Sequence, residues 1–502
     1  MKAVMKRRLA ITVILTLWAV STGWLVFREA YPEIMAVAST GRYRSFFSRG
    51  VMIMDQWMKI TFQGRQIGYS HTGVDAVEGP AGRQYQIGNR TLLQMNVMGA
   101  AQRIAVHAQA TVDALYHLQK FSFVLSATGY ALTIEGKRAR GNTFDCTVRG
   151  PDSSRRLSVT IPEDAILYSP MTELSLKALV PGRHVTLRMF NPMTLTSQNI
   201  TIKSLRREPL QHAGSNVLAT VLSANLEGME TLSWVDGEGN LLRQETLFGW
   251  AMEACKPDEA LAANSLAPAG DMLAQLAVPV TGPADRLSAA RSARLRLSGA
   301  PLQPEWLRTH RQTVVSTGQV TEVIVRAESL PASGLPPASA LPDMKAALAP
   351  SAFIQSEDPR LAERARTITG EWTNSLAAAM AIYTWVFENV EKQPTVSLPS
   401  ALDVLLRPRG DCNEHTYLFV GLARAAGIPA VIRVGLTFQN GSFYYHAWPS
   451  VYVGQWLDMD PTLGKPAVGA DHLSLFEGEL SEQMKLMGVL GRLKVEVVDT
   501  EN

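Results

Sequence analysis

Three side chains with the chemistry of a nucleophilic catalyst occur in order near the end of the chain. Cys412 follows a Gly-Asp pair, His446 precedes an Ala-Trp pair, and Asp460 precedes a Pro-Thr pair. A thiol attacks a carbonyl carbon once an imidazole has removed its proton, and a carboxylate fixes the tautomer and orientation of that imidazole. We therefore predict that Cys412, His446 and Asp460 form a catalytic triad that works through a thioester.

Cys412 is predicted to lie in the first turn of a helix. Asp411 is a good N-cap, Glu414 completes a capping-box pattern, and apolar residues follow at helical spacing. The dipole and the free backbone N–H groups at a helix start favour a thiolate. The same N–H groups could bind the oxyanion that forms on a reacting carbonyl.

The strand register decides which carboxylate can reach His446. An aromatic and β-branched strand surrounds His446, and a second short strand ends at Asp460. A three-residue loop at 453–455 would pair Trp448 with Asp460, which makes His446 and Asp460 diagonal neighbours on one face. We predict this register. Asp458 would lie on the same face and is the competing candidate.

These motifs, together with the run Leu-Ala-Arg-Ala-Ala-Gly-Ile-Pro-Ala at 422–430, resemble the core motif of the transglutaminase-like superfamily. The resemblance spans roughly residues 355–485. It implies a papain-like α/β core with a Cys-His-Asp triad. It assigns Cys412, His446 and Asp460 to that triad, because the family aspartate is the one that precedes Pro-Thr.

The other cysteines and histidines give weaker signals. His415 lies three residues after Cys412, but no second cysteine is near, so we expect no metal or other cofactor. We expect His415 to be a supporting polar residue. Cys146 and Cys255 could form a disulfide or remain buried free thiols, and the sequence leaves both alternatives open.

Length and composition indicate a globular protein with more than one domain. The chain has 502 residues, of which 46% are hydrophobic and 19% are charged. The net charge is only +3, and no basic stripe alternates with aromatic residues. These features argue against a nucleic-acid partner.

The N-terminus has the pattern of a membrane anchor. Lysine and arginine residues within the first eight positions precede an uncharged apolar run at 9–27, which is long enough to cross a bilayer as a helix. Positive charge before the run predicts a single-pass protein of the inner (cytoplasmic) membrane, with its bulk in the periplasm or outside the cell. A cleaved signal peptide, with a small-residue site at 36–39, is the alternative.

The segment from 51 to about 250 predicts many short antiparallel strands. Its clearest hairpin joins Glu230–Trp234 to Leu241–Phe248. A curved sheet of this kind could hold a lipid or lipoprotein in an apolar groove. We favour the simpler interpretation, in which the β domain packs on the catalytic domain and positions it.

The predicted fold class is α+β. A papain-like or transglutaminase-like C-terminal domain follows a large antiparallel β domain and an N-terminal transmembrane helix. The predicted parts are a basic tail and anchor at 1–30, the β domain at 50–250, a helical and small-β connector with a Pro-rich linker at 251–350, and the catalytic domain at 351–490.

The predicted function is that of an envelope-anchored, cysteine-dependent enzyme. It would cleave or transfer an amide or ester acyl group of a protein or peptide substrate, with hydrolysis favoured over cross-linking because no calcium loop with full ligand spacing is present. The alternative is a non-enzymatic envelope scaffold, or a protein that binds peptides or lipids through the same fold.

Overall fold

The computed structural model describes residues 54–501, apart from short internal segments. The segments left out are 80–81, 98, 114–116, 168–178, 227–228, 247–248, 263–268, 272–276, 301, 317–319, 333–343, 371–373 and 490–491. The predicted membrane anchor and most of the Pro-rich linker lie outside the described residues. Among the described residues, no helix is long and apolar enough to cross a membrane.

The first sheet is a long antiparallel meander of 16 strands, in the order β8 to β1 followed by β15 to β9, with β16 paired to β3. Among the described residues of this sheet, the β9–β10 and β3–β16 pairs are the parallel ones. The strands are β1 Met54–Phe62, β2 Arg65–Gly79, β3 Gly82–Val97, β4 Ala100–Asp113, β5 Leu118–Ala127, β6 Tyr130–Arg140, β7 Thr143–Arg149, β8 Ser154–Thr160, β9 Ile166–Leu167, β10 His184–Asn191, β11 Thr196–His212, β12 Ser215–Leu226, β13 Met229–Val235, β14 Leu241–Thr246, β15 Trp250–Ala254 and β16 Ala269–Asp271.

Local sequence explains the hairpins of this sheet, and long-range packing explains its curvature. Gln63 and Gly64 both have positive φ (49° and 78°), which matches the right-handed twist of the strands that they join. The rings of Phe121 on β5 and Phe190 on β10 lie 5.3 Å apart, although these strands are far apart in the sheet order. The sheet therefore rolls so that its apolar face packs against itself. The prediction of a large β-rich region is confirmed.

The second sheet belongs to the C-terminal half, in the order β19-β20-β18-β27-β17-β24-β23-β26, with β25 paired to β24. Its strands are β17 Val278–Thr281, β18 Ser292–Ser298, β19 Gln312–Ser316, β20 Thr321–Arg326, β23 Ala430–Gln439, β24 Ser442–Tyr452, β25 Trp456–Asp458, β26 His472–Glu477 and β27 Lys494–Glu501. A two-stranded ladder joins β21 Glu391–Lys392 to β22 Arg409–Gly410. The helices are α1 Pro257–Leu261, α2 Pro304–Leu307, α3 Lys345–Leu348, α4 Pro359–Thr369, α5 Ser375–Asn389, α6 Ala401–Leu406, α7 Cys412–Ala425 and α8 Leu480–Met487.

The segment predicted as a connector at 251–350 contributes strands to this second sheet. Strand β17 pairs with β24 on one side and with β27 on the other, and β18 to β20 extend the sheet beyond β27. Pairing to a central strand hides the backbone groups that an exposed edge would present. The segment is thus joined to the strand that carries His446 by backbone hydrogen bonds.

All three cysteines are free thiols. Cys146 is buried on β7, and Cys255 is half-buried directly after β15. Of the two alternatives left open by the sequence, the structure contains the pair of free thiols.

The β domain contacts the segment that leads to Cys412. The Tyr130 hydroxyl, at the start of β6, donates to the carbonyl of Leu398 at 3.0 Å and accepts from the backbone N–H of Leu398 at 3.2 Å. Arg407 donates to Asp152 at 3.0 Å, which joins the turn before β8 to the end of α6. The β domain therefore holds both ends of α6, directly upstream of the predicted nucleophile.

We expect Tyr130→Phe to weaken this contact. The substitution removes both hydrogen bonds to Leu398, which costs about 1–3 kcal/mol when buried backbone groups lose their partner. The measurement is hydrogen–deuterium exchange, in which the Leu398 amide should exchange faster. Tyr69→Phe is the matched control, because the buried Tyr69 makes no side-chain hydrogen bond with the described residues. Equal exchange at Leu398 in both variants would contradict the contact.

Candidate active site

Helix α7 begins at Cys412 and has the predicted capping box. Asp411 is the N-cap, and its side chain accepts from the backbone N–H of Asn413 at 3.0 Å. The backbone N–H of Asp411 donates to Glu414 Oε2 at 2.9 Å. Gly410 has a φ of 152°, and a Cβ at this position would collide with the side chain of Glu414. The turn before the thiol therefore requires glycine.

A second polar contact fixes this turn from outside. The Ser397 hydroxyl donates to Glu414 Oε1, and the backbone N–H of Gln393 donates to the carbonyl of Gly410 at 3.0 Å. The segment between β21 and α6 consequently lies along the turn that presents the thiol. The Tyr130 contact with Leu398 acts on the same segment.

The start of α7 docks on the backbone of Ala447. The Thr416 hydroxyl, one turn after Cys412, donates to the carbonyl of Ala447 at 3.0 Å. Because Ala447 directly follows His446 on β24, this contact brings the first turn of α7 beside the strand position that carries the imidazole. The Ala447 backbone also acts on the Cys412 thiol and lowers its pKa.

His446 and Asp460 are hydrogen-bonded. His446 Nε2 lies 2.8 Å from Asp460 Oδ2, and both side chains are buried. Strands β24 and β25 pair Ser450 with Asp458, which extends to the predicted pairing of Trp448 with Asp460. The predicted register and the three-residue loop are confirmed. Since Nε2 is bound to Asp460, Nδ1 is the nitrogen that remains for Cys412.

Asp460 is surrounded by donors. Its Oδ1 accepts from the backbone N–H groups of Thr462 at 2.8 Å and Leu463 at 2.9 Å. Its Oδ2 accepts from His446 and also from His472 Nε2 at 3.0 Å. Burial opposes the charge, but the two imidazoles hold the pKa of Asp460 well below its usual range. The Asp460 carboxylate is therefore ionised at neutral pH.

The environment of Cys412 favours the neutral thiol in the free protein. Burial raises the pKa of Cys412 well above its ordinary value, and the carboxylates of Asp411 and Glu414 act in the same direction. The hydrogen bond from the Ala447 N–H opposes them without outweighing them. Burial, and after it three nearby carboxylates, therefore oppose the thiolate that the helix start alone would favour.

The residue after the thiol offers a hydrogen-bond donor. The Tyr445 hydroxyl donates to Asn413 Oδ1 at 2.9 Å, so the amide NH2 of Asn413 remains available. Burial, and then the neighbouring Cys412, raise the pKa of Tyr445 well above its ordinary value, so its phenol stays protonated. Tyr445 and Asn413 together form a polar wall beside the sulfur.

His415 has a supporting position on α7. Its Nδ1 lies 2.7 Å from the carbonyl of Asp411 and therefore donates. Burial lowers the pKa of His415, which leaves the ring neutral with Nε2 as a buried acceptor that has no partner among the described residues. Its contact with the N-cap places His415 behind the turn that presents Cys412.

Asp458, the competing carboxylate, belongs to a different cluster. Its Oδ2 accepts from Arg311 Nε and from Trp448 Nε1, each at 3.1 Å. Burial raises its pKa, but Arg433 and then Arg311 outweigh burial and lower the pKa of Asp458 to about 2. Asp458 therefore forms a structural ion pair, and Asp460 is the partner of His446.

Arg311 is the buried residue that the sequence interpretation missed. It is 3% exposed, and besides Asp458 it binds the carbonyls of Gly469 at 3.2 Å and of His472. It comes from the segment predicted as a connector, where a single arginine carries no recognisable signal. Through these contacts it holds the loop that leads into β26.

Two groups of side chains bring potential metal ligands together among the described residues. The first is His446, Asp460 and His472, whose atoms are already joined by hydrogen bonds. The second is His310, Glu328 and Asp458, where the guanidinium groups of Arg311 and Arg433 repel a cation. Neither group has the chemistry of a ready metal site.

Residues 362–461 match the family described as the transglutaminase-like superfamily, and this range includes Cys412, His446 and Asp460. The chain contains a transglutaminase-like domain. Within that domain, β23 to β25 form strands and α7 presents the cysteine, which agrees with the α/β core that the sequence resemblance implied.

Two solved structures show a weaker likeness to part of the chain. A candidate cysteine protease from Cytophaga hutchinsonii is 19% identical with a TM-score of 0.29, and the match covers 44% of this chain and 82% of that one. The periplasmic domain of TgpA from Pseudomonas aeruginosa bound to ethylmercury is 18% identical with a TM-score of 0.27, covering 36% of this chain and 77% of that one. Both TM-scores are low, so the domain assignment depends on the family match. No curated protein matches the chain significantly.

We expect Arg311→Met to destabilise the transglutaminase-like domain by about 3–5 kcal/mol at pH 7, because it leaves the buried Asp458 short of a counter-charge. The folded pKa of Asp458, about 2, lies below that of an unfolded aspartate, about 3.9. The stability from ionised Asp458 is thus present above about pH 4 and is lost as the pH falls towards 2. The difference between wild type and variant should therefore shrink at pH 3.

Urea unfolding at pH 7 and pH 3 measures this difference. Arg308→Met is the control, since Arg308 forms an exposed pair with Glu305 at 3.7 Å and should cost less than about 1 kcal/mol. An equal loss for both variants at pH 7, or a loss for Arg311→Met that does not depend on pH, would contradict the assignment of Asp458 to an ion pair.

Proposed function

We propose that this protein is a cysteine-dependent enzyme that cleaves or transfers an acyl group from an amide or ester through a Cys412-His446-Asp460 triad. The observation that carries the proposal is the His446–Asp460 hydrogen bond on the strand where Thr416 docks the helix start that bears the half-buried Cys412 thiol. The membership of the domain in a superfamily of cysteine proteases and acyltransferases supports the same chemistry. A protein or peptide is the proposed substrate.

The proposed reaction begins with proton transfer from Cys412 to His446 Nδ1. The sulfur then forms a bond to the substrate carbonyl carbon, whose π electrons move onto oxygen. The backbone N–H of Cys412 and the amide NH2 of Asn413 are the donors placed to bind this oxyanion. Collapse of the intermediate breaks the C–N or C–O bond, and His446 gives its proton to the leaving group. Water or an amine then attacks the thioester and regenerates the thiol.

In the resting state of this proposal the Cys412 thiol is neutral. Burial and nearby carboxylates disfavour a free thiolate at Cys412. The sulfur therefore becomes nucleophilic only as its proton moves to His446, whose imidazolium is stabilised by Asp460. Reactivity at Cys412 should consequently depend on His446 more strongly than it would for a thiol whose pKa is lowered by its helix alone.

The non-enzymatic scaffold is the second candidate, and the raised pKa of Cys412 is the observation that favours it. Asp460 accepts hydrogen bonds from four donors, one of which is His446. A domain that only binds peptides does not require such a carboxylate beside a histidine. We therefore prefer the enzyme, with hydrolysis ahead of transfer to an amine. Lipid or lipoprotein contact by the β domain stays a prediction.

We also propose that the chain is anchored in the inner membrane through residues 9–27, with its bulk in the periplasm or outside the cell. The apolar run and the preceding positive charges of the sequence support this location. Cell fractionation of the full chain, and of a variant lacking residues 1–30, would test it. Recovery of both in the same soluble fraction would contradict the anchor.

We expect iodoacetamide to alkylate Cys412 at least about tenfold faster than Cys255 at pH 7, since His446 promotes formation of the thiolate. Cys255 is the internal control, because it is also half-buried and burial raises its pKa. In His446→Ala the advantage of Cys412 should disappear while the rate at Cys255 stays the same. Mass spectrometry of the modified peptides measures both rates. Equal rates in the wild type would favour the scaffold.

Cys412→Ala should abolish the activity. In cells that carry this variant, we expect the peptide ends or the cross-links of envelope proteins to change. Quantitative proteomics of peptide termini and isopeptide links, compared between wild type and variant, measures this change. Ends that disappear indicate hydrolysis, and missing isopeptide links indicate transfer to an amine. Glu363→Ala, on the exposed face of α4, is the control. Identical envelope proteomes for Cys412→Ala and the wild type would argue against an enzyme.

A further inference from the structure

His472 lies directly behind the proposed triad and binds a carboxylate with each ring nitrogen. Its Nε2 lies 3.0 Å from Asp460 Oδ2, and its Nδ1 lies 2.8 Å from Asp471 Oδ1. Ionised carboxylates only accept hydrogen bonds, so both nitrogens of His472 must carry a proton. The ring has no exposed surface, and this arrangement makes it a buried imidazolium.

The chain of charges continues to Lys465. Lys465 Nζ lies 2.6 Å from Asp471 Oδ2. The backbone of Lys465 also pairs with that of Asp460, through an Asp460 N–H to Lys465 carbonyl bond of 2.7 Å and a return bond of 2.8 Å. The four side chains Lys465, Asp471, His472 and Asp460 therefore form a closed group with two positive and two negative charges.

We propose that His472 is a permanently charged positioning residue that shares Asp460 with His446. This inference rests on the proposed catalytic role of His446. The imidazolium of His472 neutralises much of the Asp460 charge, while the hydrogen bond from His446 Nε2 to Asp460 still fixes the ring. Asp460 thus orients His446 through the hydrogen bond to Nε2, while its negative charge is shared with His472.

The geometry of the rings supports a positioning role. The His472 ring lies edge-on to the His446 ring at 5.8 Å and to the Trp448 ring at 5.2 Å, with interplanar angles of 72° and 88°. His472 therefore limits rotation of the His446 ring as well as sharing its carboxylate. Arg311 binds the carbonyls of Gly469 and His472, which fixes the loop on both sides of Asp471.

Other charged and titratable groups face this pair from each neighbouring element. Those that act on Asp460, on Cys412 or on the backbone of His472 are Tyr383 on α5, Asp411, Cys412, Glu414 and His415 on α7, and Arg311 before β19. Of these, only Arg311 carries a fixed positive charge, and it is directed at backbone carbonyls and Asp458. His472 is therefore the cation in direct contact with Asp460.

The decisive substitution is His472→Gln, which keeps a donor of similar reach and removes the charge. Without the positive charge, Asp460 should stabilise protonated His446 more strongly, and more of Cys412 should exist as thiolate. We expect alkylation of Cys412 by iodoacetamide at pH 7 to become faster, by up to about tenfold, because the thiolate is the form that reacts. A merely structural role predicts a slower or unchanged rate.

A second variant, Asp471→Asn, and the control thiol of Cys255 separate the expected effect from a loss of folding. Asp471→Asn removes one of the two carboxylates that hold the charge on His472, so it should change the rate in the same direction by a smaller factor. Cys255 should react at the wild-type rate in both variants. A slower or unchanged rate at Cys412, with Cys255 unaffected, would overturn the inference.

The charge of His472 can be measured without any activity. The full chain is labelled with 15N-histidine, and the His472 signals are assigned by comparison with His472→Gln. Both ring nitrogens of His472 should then show the 15N chemical shifts of a protonated imidazolium from pH 5 to about pH 8. Titration of His472 near the ordinary value of about 6.5 would overturn the inference even if Cys412 proves reactive. If His472 is charged but the alkylation rate of Cys412 is the same in His446→Ala as in the wild type, the proposed function is contradicted. The charge network of His472 would still be established.

Discussion

A single buried carboxylate imposes the strongest constraint on the C-terminal half of this protein. Asp460 has no exposed surface, and an ion without partners in such a place costs several kcal/mol. Four donors offset this cost, two from the turn after Asp460 and two from the rings of His446 and His472. The turn, β24 and β26 must therefore assemble together, and the proposed catalytic histidine is held as a consequence of satisfying that charge.

The neighbouring carboxylate shows why similar residues acquire different functions. Asp458 is equally buried, but its partners Arg311 and Arg433 remain protonated under all ordinary conditions. A guanidinium keeps its positive charge, so the Asp458 cluster holds strands together. Asp460 is bound to His446, and an imidazole is the side chain whose ordinary pKa lies nearest neutral pH. The partner of each carboxylate therefore separates the structural pair at Asp458 from the pair suited to acid–base chemistry at Asp460, two residues further along the chain.

The β domain has a physical connection to the same site. Tyr130 holds the backbone of Leu398, and Asp152 binds Arg407, so the segment before Cys412 is fixed at two points by another domain. This segment in turn holds the capping box through Ser397 and Glu414. The position of the thiol consequently depends on packing between domains as well as on α7 itself. Such a connection gives the β domain a positioning role that requires no ligand.

Local patterns in the sequence determined the elements that carry the site, because capping, turn chemistry and strand register act over a few residues. They were sufficient for the start of α7, the hairpin that pairs Ser450 with Asp458, and the β-rich N-terminal half. Only the tertiary structure decided which charges meet. Arg311 approaches Asp458 across 147 positions, and three carboxylates surround Cys412, so burial and charge raise a pKa that the helix start alone would lower. Burial and long-range charge depend on the whole fold, which no local pattern contains.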